Sequence, residues 1–140
     1  MFTNPPDEKI IVLLKNAGRI AIVGLSPKTG RPSNRIGRYL RKQGYEIIPV
    51  NPAYSEVLGE KSYPDLESVP GKIDIVDVFR KRDVVPAVAE AAVRIGVGAI
   101  WFQQGVINEE AADFAARAGM TVIMDLCIYM EHLRLISGIN

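Results

Sequence analysis

The residues best equipped for chemistry in this 140-residue chain lie in one stretch, Gly24-Leu25-Ser26-Pro27-Lys28-Thr29-Gly30-Arg31-Pro32-Ser33-Asn34-Arg35. It joins glycines, hydroxyls and cations directly after the apolar run Ile20–Val23 and just before a helical pattern. Backbone N–H groups and hydroxyls donate to phosphate oxygens, cations neutralise them, and a helix start adds a positive dipole end. The predicted chemistry is anion binding. Gly24 marks the strand end, Ser26 and Ser33 would bring hydroxyls, Lys28, Arg31 and Arg35 would supply positive charge around the anion, and Ser33 would also cap the helix.

Two further spots follow the same logic. Arg80-Lys81-Arg82 succeeds the run Ile73–Phe79. Arg80 is read as a second phosphate contact and Phe79 as a flank for a flat base, with Lys81 and Arg82 facing solvent. Trp101-Phe102-Gln103-Gln104-Gly105 ends an apolar run in two amides, which can hydrogen-bond an amide chain. Trp101 itself reads as core. Cys127 opens the last helical pattern, where a thiol pKa is lowered; its other reading is a small buried hydrophobe. The chain has one histidine, His132, and one cysteine, which leaves no multi-cysteine zinc site and no intramolecular disulfide. Asp74, Asp77 and Asp125 read as caps or interstrand partners, and no pair of acids is poised for proton transfer. No catalytic residue and no metal ligand is assigned.

The first loop is not a dinucleotide fingerprint, because Gly24-Leu25-Ser26-Pro27 lacks the second glycine. It is not a P-loop, because five residues separate Gly24 from Gly30 and Arg31 stands where lysine is needed. Asn51-Pro52 occupies the place of the acidic residue that would hold a ribose hydroxyl. These departures disfavour NAD.

These residues need a scaffold that delivers them to one place. Asp7–Ala17 is predicted as a helix capped by Asp7 or Asn4 and ended by Gly18. Apolar runs at Arg19–Gly24, Tyr45–Val50, Ile73–Phe79, Ala99–Phe102 and Thr121–Asp125 alternate with helical patterns at Ser33–Gln43, Asp83–Ile95, Glu109–Ala118 and Ile128–Ile136. Gly44, Gly96 and Gly119 are placed as helix ends. Alternation of this kind predicts an α/β, Rossmann-like three-layer sandwich with a five-stranded parallel sheet and the N-terminal helix added. The expected strand order is 3-2-1-4-5, with the switch point between strands one and four. The link Asn51–Lys72 has room for one helical turn, near Asp65–Val69. Ligand contacts are then expected at Gly24, Asn51, Phe79 and Gln103.

Composition is that of a globular domain, with 48% hydrophobic and 24% charged residues. A net charge of +1 gives no overall field to attract nucleic acid or a membrane surface. No apolar run reaches the ~18–20 residues of a membrane span, and the N-terminus lacks the order of a signal peptide. The reading is one cytoplasmic domain over residues 1–140, with a homo-oligomer left open.

From about Gly18 to Ile136 the chain resembles the small stand-alone CoA-binding proteins, which share their fold with the CoA-binding domain of the succinyl-CoA synthetase α subunit. The resemblance is carried by Gly24-x-Ser26, Arg31-Pro32-Ser33, Asn51-Pro52, Val78-Phe79-Arg80, Trp101-x-Gln103-x-Gly105, and Asp125-x-Cys127 with Glu131-His132. It implies coenzyme A as ligand. Gly24, Ser26, Arg31 and Ser33 would surround the phosphates, Asn51, Phe79 and Arg80 would line the nucleotide, and Gln103 and Gly105 would lie along the pantetheine. Lys28 joins the phosphate group on charge and position. The synthetase's phosphorylated histidine belongs to a further domain and His132 belongs to a different pattern, so ligase activity does not carry over; the glycine-rich form of its first loop is also missing here. The implied role is a non-catalytic carrier, sensor or accessory domain for CoA or an acyl-CoA. The alternatives are a NAD- or nucleotide-dependent enzyme of Rossmann type and an interaction module using exposed apolar surface. If the CoA thiol reaches the last helix, oxidation would join it to Cys127.

Overall fold

In the computed structural model, which describes residues 2–138, the chain runs α1 (Asp7–Asn16), β1 (Arg19–Val23), α2 (Pro32–Lys42), β2 (Glu46–Val50), β3 (Glu56–Val57), β4 (Glu60–Lys61), a 3-10 turn (Leu66–Ser68), β5 (Ile75–Val78), α3 (Val85–Ile95), β6 (Ala99–Phe102), α4 (Glu109–Arg117), β7 (Thr121–Met124) and α5 (Ile128–Leu135). Five strands form one parallel sheet, and β3 and β4 pair antiparallel as a small separate hairpin.

Both faces of the sheet are covered, which is why its strands are runs of β-branched residues. Ala21, Val23, Val76, Val78, Ile100 and Phe102 face α3 and α4, where small residues such as Ala89, Ala92, Ala111 and Ala115 allow close approach. Ile20, Ile22, Ile75, Trp101 and Ile123 face Ile10 and Leu14 of α1, Ile36 and Leu40 of α2, and Ile128 of α5. Gly37 permits this closeness on α2: a Cβ there would meet side-chain ends of Leu25 at 3.1 Å and Leu58 at 3.3 Å.

The strand order is β2-β1-β5-β6-β7, or 2-1-3-4-5 counting only the large sheet, and not the expected 3-2-1-4-5. The third strand, β5, lies between β1 and β6, so the switch point falls between β1 and β5. Pro49 is the physical reason. Proline lacks an N–H and is confined to edge strands, so β2 cannot be the interior strand that the expected order requires. Its outer side is met only at the end, where the Asn51 N–H donates to the Tyr63 carbonyl and the Tyr63 N–H to the Pro49 carbonyl. Every residue of β5 is fully buried, as befits a central strand.

Helix ends also differ in detail. Pro6 occupies the N-cap of α1 with no side-chain cap, and the helix stops at Asn16 with Ala17 beyond it. Asn4 does other work, exchanging two hydrogen bonds with the backbone of Met124 on the edge strand β7. Asp7 forms a two-point pair with Arg134 that ties α1 to α5. Gly44, Gly96 and Gly119 take the positive φ expected of them, and the single turn near Asp65 is present.

Candidate functional site

The carboxyl ends of β1, β5 and β6 open into a cleft of about 520 Å³ lined by Pro32, Arg35, Ile36, Phe79, Arg80, Lys81, Gln103, Gln104, Val106 and Cys127. It therefore straddles the switch point. A narrower, more apolar pocket of about 180 Å³ adjoins it on the α3 side, between Val23, Val50, Pro52, Leu66, Val84 and Val88. Arg80 borders both spaces. A shallow depression of about 600 Å³ at the opposite edge, beside α1 and Asp74, is far from all predicted site residues.

Gly24 ends β1 with φ +91°, and a Cβ on it would sit 2.5 Å from the Phe79 carbonyl oxygen. This glycine lets the loops after β1 and β5 run side by side. The loop that follows is fixed from within. The Ser26 N–H donates to Ser33 Oγ at 3.0 Å, the Lys28 N–H to Ser26 Oγ at 3.1 Å, and the Asn34 amide to the Ser26 carbonyl at 2.9 Å. Ser33 is thus not the N-cap of α2. Arg31 holds that position because Pro32, with its fixed φ and missing N–H, begins the helix at N1. Each serine still has its own O–H to donate outward. Lys28 and Arg31 are exposed beside the loop and do not line the cleft, whereas Arg35, one turn into α2, does.

Asn51 is buried and bonded at both ends of its amide. Its amide donates to the Leu25 carbonyl at 3.0 Å and its Oδ1 accepts from the Ala53 N–H at 3.0 Å. It braces the loop after β1 from the end of β2. Gln103, also buried, accepts the Ile128 N–H on Oε1 at 3.0 Å, so it caps α5. The Gly105 N–H donates to Asp125 Oδ1 at 2.8 Å. Trp101 is core, with its indole N–H on the Leu126 carbonyl at 2.8 Å. Among the ten residues predicted from sequence, Phe79, Arg80 and Gln103 line the cleft; Gly24, Ser26, Ser33 and Asn51 build its loops; Lys28, Arg31 and Gly105 lie outside its lining. Lys81 is exposed as expected but stands at the rim. Arg35, read from sequence as one of the loop's cations, does line the cleft, whereas Ile36 and Val106 carry no motif signal and reach it through helix phase and loop geometry.

The charge around this site is one-sided. Lys28, Arg31, Arg35, Arg38, Arg41 and Lys42 fall between Gly24 and Tyr45 with no acidic residue among them, and none of these forms an ion pair among the described residues. Beneath the cleft floor lies the opposite case. Asp77 on β5 is fully buried, registers with Ile22 and Trp101, and neither carboxyl oxygen has a hydrogen-bond partner. Burial holds its pKa well above the ordinary value. No group of three or more His, Cys, Asp or Glu able to hold a metal occurs among the described residues. No helix among them is long and apolar enough to cross a membrane.

A doubly wound sheet with a cationic cleft at its switch point defines a class, the Rossmann-like domains that take phosphate-bearing ligands. Within that class, the family model described as CoA binding domain matches residues 18–133, and the chain belongs to that family. It is 44% identical over 129 residues to the Uncharacterized protein YneT of Bacillus subtilis (strain 168), covering 92% of this chain and 96% of that one. It is similar in structure to a hypothetical protein from Pyrococcus horikoshii OT3, with TM-score 0.91, 39% identity, and coverage of 97% and 99% of the two chains. A more distant relative is ADP-forming acetate–CoA ligase I of Archaeoglobus fulgidus, 28% identical over 121 residues. That match takes in 79% of this chain and only 18% of the ligase.

Proposed function

We propose that the chain binds coenzyme A, or an acyl-CoA, across the two spaces that meet at Arg80, and that it acts as a carrier, sensor or accessory domain without turnover. The observation that carries this reading is the shared Arg80. One cation between an apolar pocket and a longer cationic cleft suits a ligand with a flat base, phosphates and a polar tail. The base fits among Val50, Pro52, Val84 and Val88. The phosphates fit at Arg80, Arg35 and Lys81, with the hydroxyls of Ser26 and Ser33 and the start of α2 behind them. The pantetheine amides fit along Gln103 and Gln104 toward Cys127. Asn51 spends one amide N–H and its Oδ1 on bracing the loops, and it offers no carboxylate to hold a ribose in the manner of a NAD site.

Isothermal titration of the protein with CoA, NAD and ADP tests the reading. CoA is expected to bind most tightly. Arg80→Glu is expected to weaken CoA at least tenfold, since one charge-assisted contact is worth about 1.5–3 kcal/mol, while the unliganded melting temperature stays put. Tighter binding of NAD than of CoA, with turnover, would instead favour the nucleotide-dependent enzyme.

A further inference from the structure

The molecule separates its charges in a way that its composition hides. Net charge is +1, yet all 16 acidic residues lie outside Gly24–Tyr45, where six cations stand. Four of these, Arg31, Arg35, Arg38 and Lys42, are spaced i, i+4, i+7 and i+11, so they share one face of α2. All four are exposed, and among the described residues none is paired with a carboxylate. The exposed acids Glu109 and Glu110 sit on α4, across the sheet from α2. The stripe meets the cleft at Arg35 and continues past it for about 10 Å, to Lys42. Arg38 is held in place on this face. Its Nε donates to Asn34 Oδ1 at 2.8 Å, and the fully buried Asn34 donates in turn to the Ser26 carbonyl at 2.9 Å. Neither Arg38 nor Lys42 lines the cleft or the pocket beside it.

We propose that the stripe from Arg31 to Lys42 is an electrostatic guide that draws the anionic ligand into the cleft. Arg38 and Lys42 set how fast the ligand is captured and do not touch it once it is bound. A cleft edged by one sign of charge focuses the field at its mouth and raises the local concentration of an oppositely charged solute. CoA suits such a guide, because it bears a 3′-phosphomonoester as well as its diphosphate. Dephospho-CoA lacks the first and is drawn less, so ligand charge decides the preference in capture. The inference rests on the CoA reading of the cleft.

Stopped-flow binding of CoA and dephospho-CoA, each carrying a neutral fluorophore on its thiol, tests it. Arg38→Glu with Lys42→Glu is expected to slow CoA association at least about fivefold at 0.01 M ionic strength, where charges act over about 30 Å. Dissociation should stay within about twofold of the wild type, because field effects fall on association. At 1 M, where the range shrinks to about 3 Å, the two proteins should associate alike. Dephospho-CoA should lose less than CoA. Arg38→Gln with Lys42→Gln, which removes the charge and keeps an amide able to bond Asn34, should fall between the wild type and the glutamate pair. Lys15→Glu with Lys72→Glu makes the same change in net charge on exposed residues at the amino edge of the sheet, and should leave association as it was. Faster dissociation with unchanged association would make Arg38 and Lys42 ligand contacts and overturn the guide. An equal effect of the Lys15 and Lys72 pair, or a glutamine pair as slow as the glutamate pair, would overturn it too. A wild-type protein that binds CoA neither labelled nor unlabelled would instead refute the CoA reading.

Discussion

Asp77 gives the sharpest test of the physical account. Its carboxyl sits in the central strand between Ile22 and Trp101 with both oxygens unpartnered, so the folded protein holds it as a neutral acid. Desolvation raises its pKa well above 3.8. The folded state therefore keeps a proton that the unfolded chain releases above about pH 3.9. Stability must then fall as pH rises, from that point up to the raised folded value, by about 1.4 kcal/mol for each pH unit. Asp77→Asn keeps the shape and removes the titration. Asp77→Val also removes the unpartnered polar atoms, which is expected to add about 1–3 kcal/mol. Chemical denaturation of the three proteins at a series of pH values between about 4 and 8 reads the effect. Asp7 and Asp74, whose pKa values are lowered, act with the opposite sign but equally in all three. The quantity that decides is the difference between curves. The asparagine variant should gain on the wild type as pH rises above about 4, levelling once pH passes the raised folded value. Parallel curves would mean that Asp77 is ionised and paired in solution, and would refute the reasoning.

Three other outcomes are expected. Gly24→Ala should cost at least about 2 kcal/mol in denaturation experiments, because it combines a left-handed backbone with a Cβ pressed on the Phe79 carbonyl; Gly30→Ala, in open space, should stay within about 0.5 kcal/mol. His132 is buried and accepts or donates at Nδ1 with the Tyr39 hydroxyl at 2.7 Å, and burial lowers its pKa below 6.5. The unfolded chain takes up a proton there first, so stability conferred by neutral His132 is present above about pH 6.5 and is lost as pH falls toward the lowered value; His132→Gln should flatten that part of the profile. On the CoA reading, oxidised CoA should transfer one CoA to Cys127 by thiolate attack on its disulfide, releasing CoA thiolate. Intact mass should show the adduct, dithiothreitol should remove it, and Cys127→Ser should show none.

Much of the fold is legible in local signals. Apolar runs of strand length, helical periodicity, Pro at helix starts and Gly at helix ends locate every strand of the large sheet and every long helix. The strand order was legible too, through Pro49: a residue without an N–H marks β2 as an edge, and weighting it would have placed the third strand on the other side of β1. The site was only partly legible. Phe79, Arg80 and Gln103 follow directly from strand ends, and Gly24 from the turn it makes. Arg35 and Cys127 carry signals of residue type and position, but Ile36 and Val106 reach the cleft through the tertiary arrangement, which no spacing motif records.

The roles of the polar side chains separate what sequence determines from what the fold decides. The amino-acid sequence alone points to a class of chemistry, since hydroxyls, amides and cations gathered at strand ends suit a polar anionic ligand, and a missing acid after β2 argues against NAD. Only the tertiary structure decides which of those groups are free to meet it. Asn51 and Gln103 are both chemically suited to ligand contact, yet Asn51 is tied to Leu25 and Ala53 in the framework, while Gln103 gives its Oε1 to Ile128 and keeps its amide N–H groups for the cleft. A buried polar atom must find a partner wherever the packing puts one. Residue type sets what it can bond, and packing sets what it does bond.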